Sequence, residues 1–570
     1  MANSGILHFL RRPVRAPNLS GRLLLLCIAC GWLTILPGAA ALAEPPPTDP
    51  PAFFVDVTAA AQIDFVETIG DNDMTNIVES VGVGCAFLDY DGDGWMDIYL
   101  VNGSWTEGLS DPELDVKERD KLAAATAHLY RNRGNGTFED VTVKAGVARK
   151  AYGMGVVVAD YDGDGFPDIY QTNYGPNFLY HNNGDGTFTE VAKTAGVDDP
   201  DFSVGAVFFD YDRDGRLDLY VGNYVTYDPN YKLYYAPDGF PGPMAYAGQQ
   251  DRLFHGNPDG TFTDVTNKAG ISSEPHGRAM GVGALDYDND GYMDIFVSND
   301  AMENFLWHNK RDGTFENRAL EAGVAFGENG EATAAMGVEI ADYDSDGFFD
   351  ICVPDMTYSC LYHNEGRGFF SDHAAKSGIS ASMGQFVGWG GVFADFDLDG
   401  ELDLYISTGD AHHLEPHQDV LFLGDGHGKF TDVSESAGEW ARQKRVGRGV
   451  AGADFDNDGD IDILVTHLND RPTLLRNDTP RRGRHWLMVN LVGRPPNRDA
   501  IGAVVKAEFD KKVRIRQRLS GGGYLSQHDP RIHFGLGTSD KVDRLEVIWP
   551  DGTRHTMENV PSDRLITIRQ

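Results

Sequence analysis

Cysteine is scarce: the 570-residue chain has five, and only Cys85, Cys352 and Cys360 lie beyond the first 43 residues. So few thiols exclude a disulfide framework as the source of stability. Cys352 and Cys360 can bridge a short turn or remain two buried thiols, and Cys85 reads as a buried strand residue. Positive charge is also short, with 48 Lys and Arg against 87 Asp and Glu and a formal net charge of −39. That surface repels nucleic acid and anionic lipid, which leaves cations as its natural partners. After residue 43 no apolar run approaches the roughly 20 residues that cross a bilayer, so no membrane span is expected. Gly-x-Ser-x-Gly, phosphate-loop and zinc-helix motifs are absent, so no common catalytic signature points to a reaction.

Residues 1–43 carry Arg11, Arg12, Arg15 and Arg22, then an apolar run from Leu23 that extends to Leu36, then Ala41-Leu42-Ala43. This order reads as a signal peptide cleaved after Ala43, in preference to an uncleaved anchor, because small residues close it. The mature chain is therefore expected to be secreted, periplasmic or at the cell surface.

What the chain has in abundance is a repeat. The pattern Asp-x-Asp-x-Asp-Gly-x-x-Asp, with Phe or Tyr second, occurs seven times at intervals of about 50 residues plus insertions. Around each copy lie an apolar alternating run, a second run such as Asp168-Ile169-Tyr170, a third such as Phe178-Leu179-Tyr180-His181-Asn182, and a fourth after an Asn/Asp-Gly turn. Four strands per unit is the size of a propeller blade. The last unit stops after its third strand at Thr473 to Asn477, while Phe54-Val55-Asp56-Val57-Thr58 matches the missing fourth. A ring closed by its N-terminal strand explains that offset; an open solenoid does not. The expected architecture is all-β: a seven-bladed propeller over residues 44–480 and a small β-sandwich over 481–570.

Each loop presents carboxylates at positions 1, 3, 5 and 9 and a carbonyl at 7, with glycine at 6 for the sharp turn. That is the ligand order of an EF-hand loop without its final glutamate, and the crowded hard oxygens favour calcium over magnesium. Read as turn formers, one such set would be unremarkable; seven intact sets argue for up to seven calcium ions. The candidate ligands are Asp89, Asp91, Asp93 and Asp97; Asp160, Asp162, Asp164 and Asp168; Asp210, Asp212, Asp214 and Asp218; Asp286, Asp288, Asp290 and Asp294; Asp342, Asp344, Asp346 and Asp350; Asp395, Asp397, Asp399 and Asp403; and Asp454, Asp456, Asp458 and Asp462.

Residues 481–570 reverse the balance, with 17 Lys and Arg against 10 Asp and Glu. Alternating runs such as Trp486 to Leu491 and Leu545 to Trp549 are broken by Gly521-Gly522-Gly523 and Pro550-Asp551-Gly552, which reads as β-structure. The basic domain is expected to dock on the acidic propeller, in preference to binding an outside polyanion.

These motifs carry a resemblance. The seven loops with their Gly-x-Phe-x-Asp-Val strands resemble the FG-GAP or VCBS repeats of integrin α-chain heads. The tail, with Asn497-Arg498-Asp499-Ala500-Ile501-Gly502-Ala503, Gly522-Gly523-Tyr524-Leu525-Ser526-Gln527, His533-Phe534-Gly535-Leu536-Gly537 and Val547-Ile548-Trp549-Pro550-Asp551-Gly552, is similar to the ASPIC/UnbV domain. Together they resemble the cartilage acidic protein family, which implies extracellular calcium binding; the growth-factor-like cysteine module of its animal members is not evident here.

Two segments stand apart from the repeat. Asp410, His412, His413, Glu415 and His417 can bind a transition metal or transfer protons, or form a polar surface loop. The insertion from Tyr224 to Gln250 holds Tyr224, Tyr227, Tyr231, Tyr234, Tyr235, Phe240 and Tyr246, rings that suit stacking on a ligand or anchoring the loop to its own blade. His276 and Arg278 read as structural residues near the channel. The leading functional expectation is a monomeric, calcium-dependent adhesion or interaction module for a protein or glycan ligand. A calcium-stabilised enzyme on polysaccharide or a secondary metabolite, and a structural envelope component, are the alternatives.

Overall fold

A computed structural model describes residues 54–231 and 239–570. The leader at 1–43, with Tyr234 and Tyr235 of the insertion, lies outside the described residues. Seven antiparallel sheets of four strands follow one another along the described residues, the fourth with the short strand Thr333–Ala334 added to its second strand. In the second blade Gly153–Ala159, Asp168–Asn173, Phe178–Asn182 and Phe188–Glu190 pair in sequence order. Ala159 faces Asp168 across the first hairpin, so the aspartate loop is the hairpin connection and its ninth residue opens the second strand. The first strands of successive blades pack against one another around a full circle, which makes the sheets a ring. The last blade consists of Gly447–Ala453, Asp462–His467, Thr473–Asn477 and the N-terminal Phe54–Asp56, with Phe54 opposite Asn477. Closure by the N-terminal strand is thus the observed topology.

Residues after Asn477 form two further sheets. Trp486–Val492 lies between Ile532–Gly535 and Arg564–Arg569, and a second sheet holds Lys512–Gln517, Val504–Phe509, Lys541–Ile548 and Arg554–Pro561 in that order. Leu487, Val489, Val505, Phe534, Leu545, Val547 and Trp549 are the buried core of this small domain. Their alternation along the strands sends one face of each sheet inward. Cys85, Cys352 and Cys360, the cysteines among the described residues, are free and buried.

The axis of the ring is not an open pore. The segment Gly521–Asp529 leaves the small domain and enters the channel, where Val156 N–H donates to the Leu525 carbonyl, Gln527 N–H to Cys85, Phe87 N–H to Gln527 and Asp529 N–H to Gly452. Tyr524 is fully buried, its ring 5.3 Å from that of Trp389, and its hydroxyl donates to the Val81 carbonyl at 3.1 Å. Glycines on or just before the first strands make the room: a Cβ on Gly84 would lie 1.7 Å from the Leu525 carbonyl oxygen, and one on Gly390 would lie 2.9 Å from Tyr524 N. Above the plug, Arg448 is fully buried with its guanidinium 3.6 Å over Trp389 and donates to the carbonyls of Ser80, Gly447 and Asp410. Burial lowers it to about 9.

Because strands alternate in direction, the aspartate loops open on one face and the connectors between second and third strands on the other. The Tyr224–Gln250 insertion and the 409–419 connector therefore share the second face. Tyr224, Phe240 and Tyr246 are buried in one cluster with Ile77, Val78 and Trp389, so these rings anchor the insertion. His412 packs against Phe240 at 5.5 Å, and Asp410 Oδ1 accepts from His412 N–H and His413 N–H, a turn that orders the connector. Arg278 donates to the Tyr246 carbonyl and ties blade four to the same insertion.

Emptying the plug should be costly. Tyr524→Ala is expected to destabilise the protein by about 3–5 kcal/mol, the usual cost of a large buried ring. Guanidinium unfolding of the variant checks this, and a loss below about 1 kcal/mol would show that the channel is filled without it.

Candidate metal centre

The loops share one hydrogen-bond scheme, except that in loops two and three the position-5 amides of Asp164 and Asp214 donate to Asp162 and Asp212 at position 3 instead of to position 1. In the first blade Asp89, at position 1, accepts Asp93 N–H on Oδ1 and Gly94 N–H on Oδ2, both at 3.0 Å. Asp93, at position 5, accepts Trp95 N–H at 3.0 Å. Asp97, at position 9, accepts Tyr90 N–H at 3.0 Å on one oxygen and Asn132 N–H at 2.7 Å on the other. Gly94 has φ 87° and equivalents such as Gly165, at 102°, share the left-handed region, which is why position 6 holds glycine in every copy.

Position 9 is a latch. Its aspartates are almost fully buried, and besides the loop they fasten the end of the third strand. The latch is extended by an asparagine: Asn182 donates its N–H to Asp168 Oδ1 and its Nδ2 to Pro167 O in its own loop and to Tyr90 O in the preceding blade. Asn132 reaches Phe455, Asn309 reaches Tyr211, Asn364 reaches Tyr287 and Asn477 reaches Phe396 in the same way, so five of seven blade junctions carry this stitch. Gly256 and Gly424 stand at the other two, where a Cβ would lie 2.3 and 2.0 Å from the Leu217 and Leu402 carbonyls. The sequence reading assigned these asparagines no role, although comparing the seven repeats with one another marks the position.

Burial pushes the carboxylates upward. Asp97 rises to about 9, Asp160 to about 8, and Asp210, Asp342 and Asp454 to about 7, each chiefly through loss of water; Asp395 and Asp403 also lie well above the usual range. Every loop also leaves one buried carboxylate oxygen outside any hydrogen bond: Oδ1 of Asp91, Asp160, Asp210, Asp288, Asp344, Asp397 and Asp456. In the sixth loop Arg484 lies 2.7 Å from that Asp397 oxygen, outside hydrogen-bonding geometry. Oxygens of Asp89, Asp91 and Asp93 lie within 4.8 Å of one another, as do ligand atoms at positions 3 and 5 of loops two to five together with one histidine each. A buried, unpartnered carboxylate oxygen is costly, and a hard cation bound by the cluster removes that cost. The residues present therefore fit a divalent ion, and loop acids can hold one.

The basic domain sits on this face. Arg531 chelates Asp529 and donates to Asn457 Oδ1 and the Asp454 carbonyl, both at 2.6 Å. Arg514 donates to the Gly400 carbonyl, and both it and Lys512 meet Glu401. Arg498 donates to the Gly163 carbonyl at 2.7 Å, and Asp499 accepts Asp160 N–H at 2.8 Å. Loops two, six and seven are thus held by the C-terminal domain.

Removing one stitch tests the latch. Asn182→Ala leaves the Tyr90 and Pro167 carbonyls without their donor and is expected to cost about 1–3 kcal/mol. Its measure is the unfolding midpoint, with Asn183→Ala on the exposed turn next door as the control that should barely move.

A model of the FG-GAP-like repeat matches residues 89–171, 160–221, 244–297 and 286–353, and one described as ASPIC and UnbV matches 493–570. Cartilage acidic protein 1 of Mus musculus is 25% identical over 492 residues, covering 82% of this chain and 61% of that protein. The Homo sapiens protein of that name is 29% identical over 318 residues, covering 54% and 45%. The chain thus spans less than two thirds of the length of these curated relatives. Among solved structures, YCF48 bound to D1 peptide aligns with TM-score 0.39 and 9% identity, over 77% of this chain and 98% of that one.

Proposed function

This chain belongs to a cartilage acidic protein-like family of FG-GAP repeats followed by an ASPIC/UnbV domain, and from that premise we propose that it is an exported, calcium-dependent propeller that serves as an interaction module for a protein or glycan ligand. The observation that carries the cation is the buried carboxylate oxygen without a hydrogen bond that recurs in all seven loops and is met by a guanidinium, that of Arg484, in the sixth. Aspartates at positions 1, 3, 5 and 9 would hold calcium, which supplies positive charge to carboxylates crowded in a poorly hydrated site.

Two features support the interaction role. Part of the loop face is covered by the basic domain, at loops two, six and seven, and the axis is plugged, so the opposite face and the rim are the broader surface for a partner. That opposite face carries the insertion from Tyr224 to Gln250, on which Met244 is 76% and Tyr231 41% exposed beside the buried rings of Tyr224, Phe240 and Tyr246. Among the described residues no helix is long and apolar enough to cross a membrane.

Calcium should act on every blade together. Extracellular-type affinities of about 10⁻⁴–10⁻³ M give about 1 kcal/mol per loop at millimolar calcium; against an unfolding entropy of about 1 kcal/mol/K for a chain of this length, chelation is expected to lower the melting temperature by roughly 6 °C. A scan with calcium and with chelator decides it; identical melts after verified removal of metal would refute the cation role.

The same ions set a pH dependence. Without cation, loop carboxylates whose folded values stand at about 7 to 9, above the ordinary 3.8, favour the folded state most when protonated. Stability of the metal-free protein is then fully present below about pH 4 and is lost as pH rises through 7 to 9. Calcium binds the deprotonated form, so its stabilising increment is expected to widen across that window. Melts from pH 5 to 9 with and without calcium measure the increment, and a constant gap would contradict the assignment.

A further inference from the structure

One repeat position divides the loops into kinds. The residue before the asparagine or glycine that ends each third strand is Arg131, His181, His255, His308, His363, Leu423 and Arg476 in blade order. In blades two to five this side chain is an imidazole at the loop's mouth. His181 Nδ1 lies 3.3 Å from both Asp162 Oδ2 and Asp168 Oδ1. His255 Nδ1 is 2.9 Å from Asp218 and 3.7 Å from Asp212, and His308 Nδ1 is 3.2 Å from Asp294 and 3.8 Å from Asp288. His363 Nδ1 is 3.2 Å from Asp350 and 3.4 Å from Asp344, with Nε2 4.0 Å from Asp346. One nitrogen therefore stands between the position-3 and position-9 carboxylates in four consecutive blades.

Two of the four are not satisfied ion pairs: Nδ1 of His363, a residue only 9% exposed, and Nδ1 of His181 are buried and make no hydrogen bond. Nδ1 of His255 meets Asp218 at 2.9 Å and that of His308 the Tyr287 hydroxyl at 3.3 Å, contacts that a bound metal would replace. Asp344 Oδ1, in the same loop as His363, is likewise buried and unpartnered. A nitrogen lone pair and carboxylate oxygens converging in this way, with ligand atoms within 4.8 Å of one another, form a mixed nitrogen and oxygen donor set. The remaining blades differ in kind. In blade one Arg131 places Nε 2.6 Å from Asp91 and Nη2 3.0 Å from Asp93, so the chain brings its own cation to the loop. Arg476 is turned to Asp478, and Leu423 offers no donor.

We propose that the loops of blades two to five are a separate class of metal site that accepts imidazole-binding divalent ions of the manganese-to-zinc series, whereas loops one, six and seven accept hard cations alone. This rests on the reading of the loops as cation sites and adds a selectivity that the oxygen ligands by themselves would not give. Imidazole suits zinc, nickel and cobalt, while calcium is met by oxygen.

Cobalt(II) is the probe, because its visible absorption reports nitrogen ligation. Chelator-treated protein dialysed against cobalt is expected to retain up to four ions per chain, and His181→Gln/His255→Gln/His308→Gln/His363→Gln to bind them at least tenfold more weakly while keeping its calcium-dependent rise in melting temperature. Should the quadruple variant fail to fold, single His363→Gln is expected to lose one cobalt of four, and Leu423→His to gain a fifth. Equal cobalt retention and spectra in wild type and variants overturn the proposal. Calcium stabilisation without any cobalt uptake overturns it too but leaves the cation reading standing, and failure of both ions removes the two together.

Discussion

Carboxylates crowded together and partly stripped of water are the constraint on which this molecule depends. Placing like charges a few ångströms apart in a poorly hydrated loop is unfavourable by several kcal/mol unless something answers each oxygen. The fold answers most of them with backbone. At position 1 both oxygens of Asp89 receive amide N–H groups, and at position 9 both oxygens of Asp97 do so. The oxygen left over, most often at position 3, is the one that faces inward without a donor. Local chain geometry thus concentrates an unmet demand for positive charge at one point of each blade.

That demand is transmitted around the ring. The aspartate at position 9 fixes the amide of the third-strand asparagine, and the same asparagine spends its side-chain N–H groups on its own loop and on the preceding blade. A loop that loses its shape therefore loosens a junction as well as a turn. The small domain adds a second link, since Arg531 binds the Asp454 carbonyl on one side and Asp529 on the other, while Asp529 N–H bonds to Gly452 at the channel. Opposite formal charge in the two halves of the chain is expressed as this contact.

The parts legible in the sequence were those repeated in it. Seven copies act as an internal alignment, so the loops, the four strands and the displaced N-terminal strand at Phe54–Asp56 follow from pattern alone. The asparagine stitch and the histidine position were present in the same alignment, at Tyr180-His181-Asn182 and its equivalents, but their meaning depends on which carbonyl or carboxylate lies across a blade junction, and that is a three-dimensional fact. The plug was hidden for a different reason. Gly521-Gly522-Gly523 reads as a loop breaker, and nothing local says that Tyr524 will lie against Trp389, more than a hundred residues earlier. The aromatic insertion could be read two ways, and burial of Tyr224, Phe240 and Tyr246 decides for anchoring at those positions.

A ring of seven blades leaves space at its axis, and the first strands and the residues just before them widen it, because glycines at 84, 155, 337, 390 and 449 put no side chain there. Small residues on the inner strand let backbone approach backbone, which a side-chain-filled channel would not allow. The chain uses that freedom to pair the Gly521–Asp529 segment with strand edges on several blades, burying Tyr524 and Leu525 in the same cluster as Met154, Met280, Met336 and Trp389. The cost of so many inner glycines is conformational entropy, and it is offset only when the plug is seated. Ring and C-terminal domain are for that reason parts of one compact unit, with aspartate loops two, six and seven lying in the seam between them.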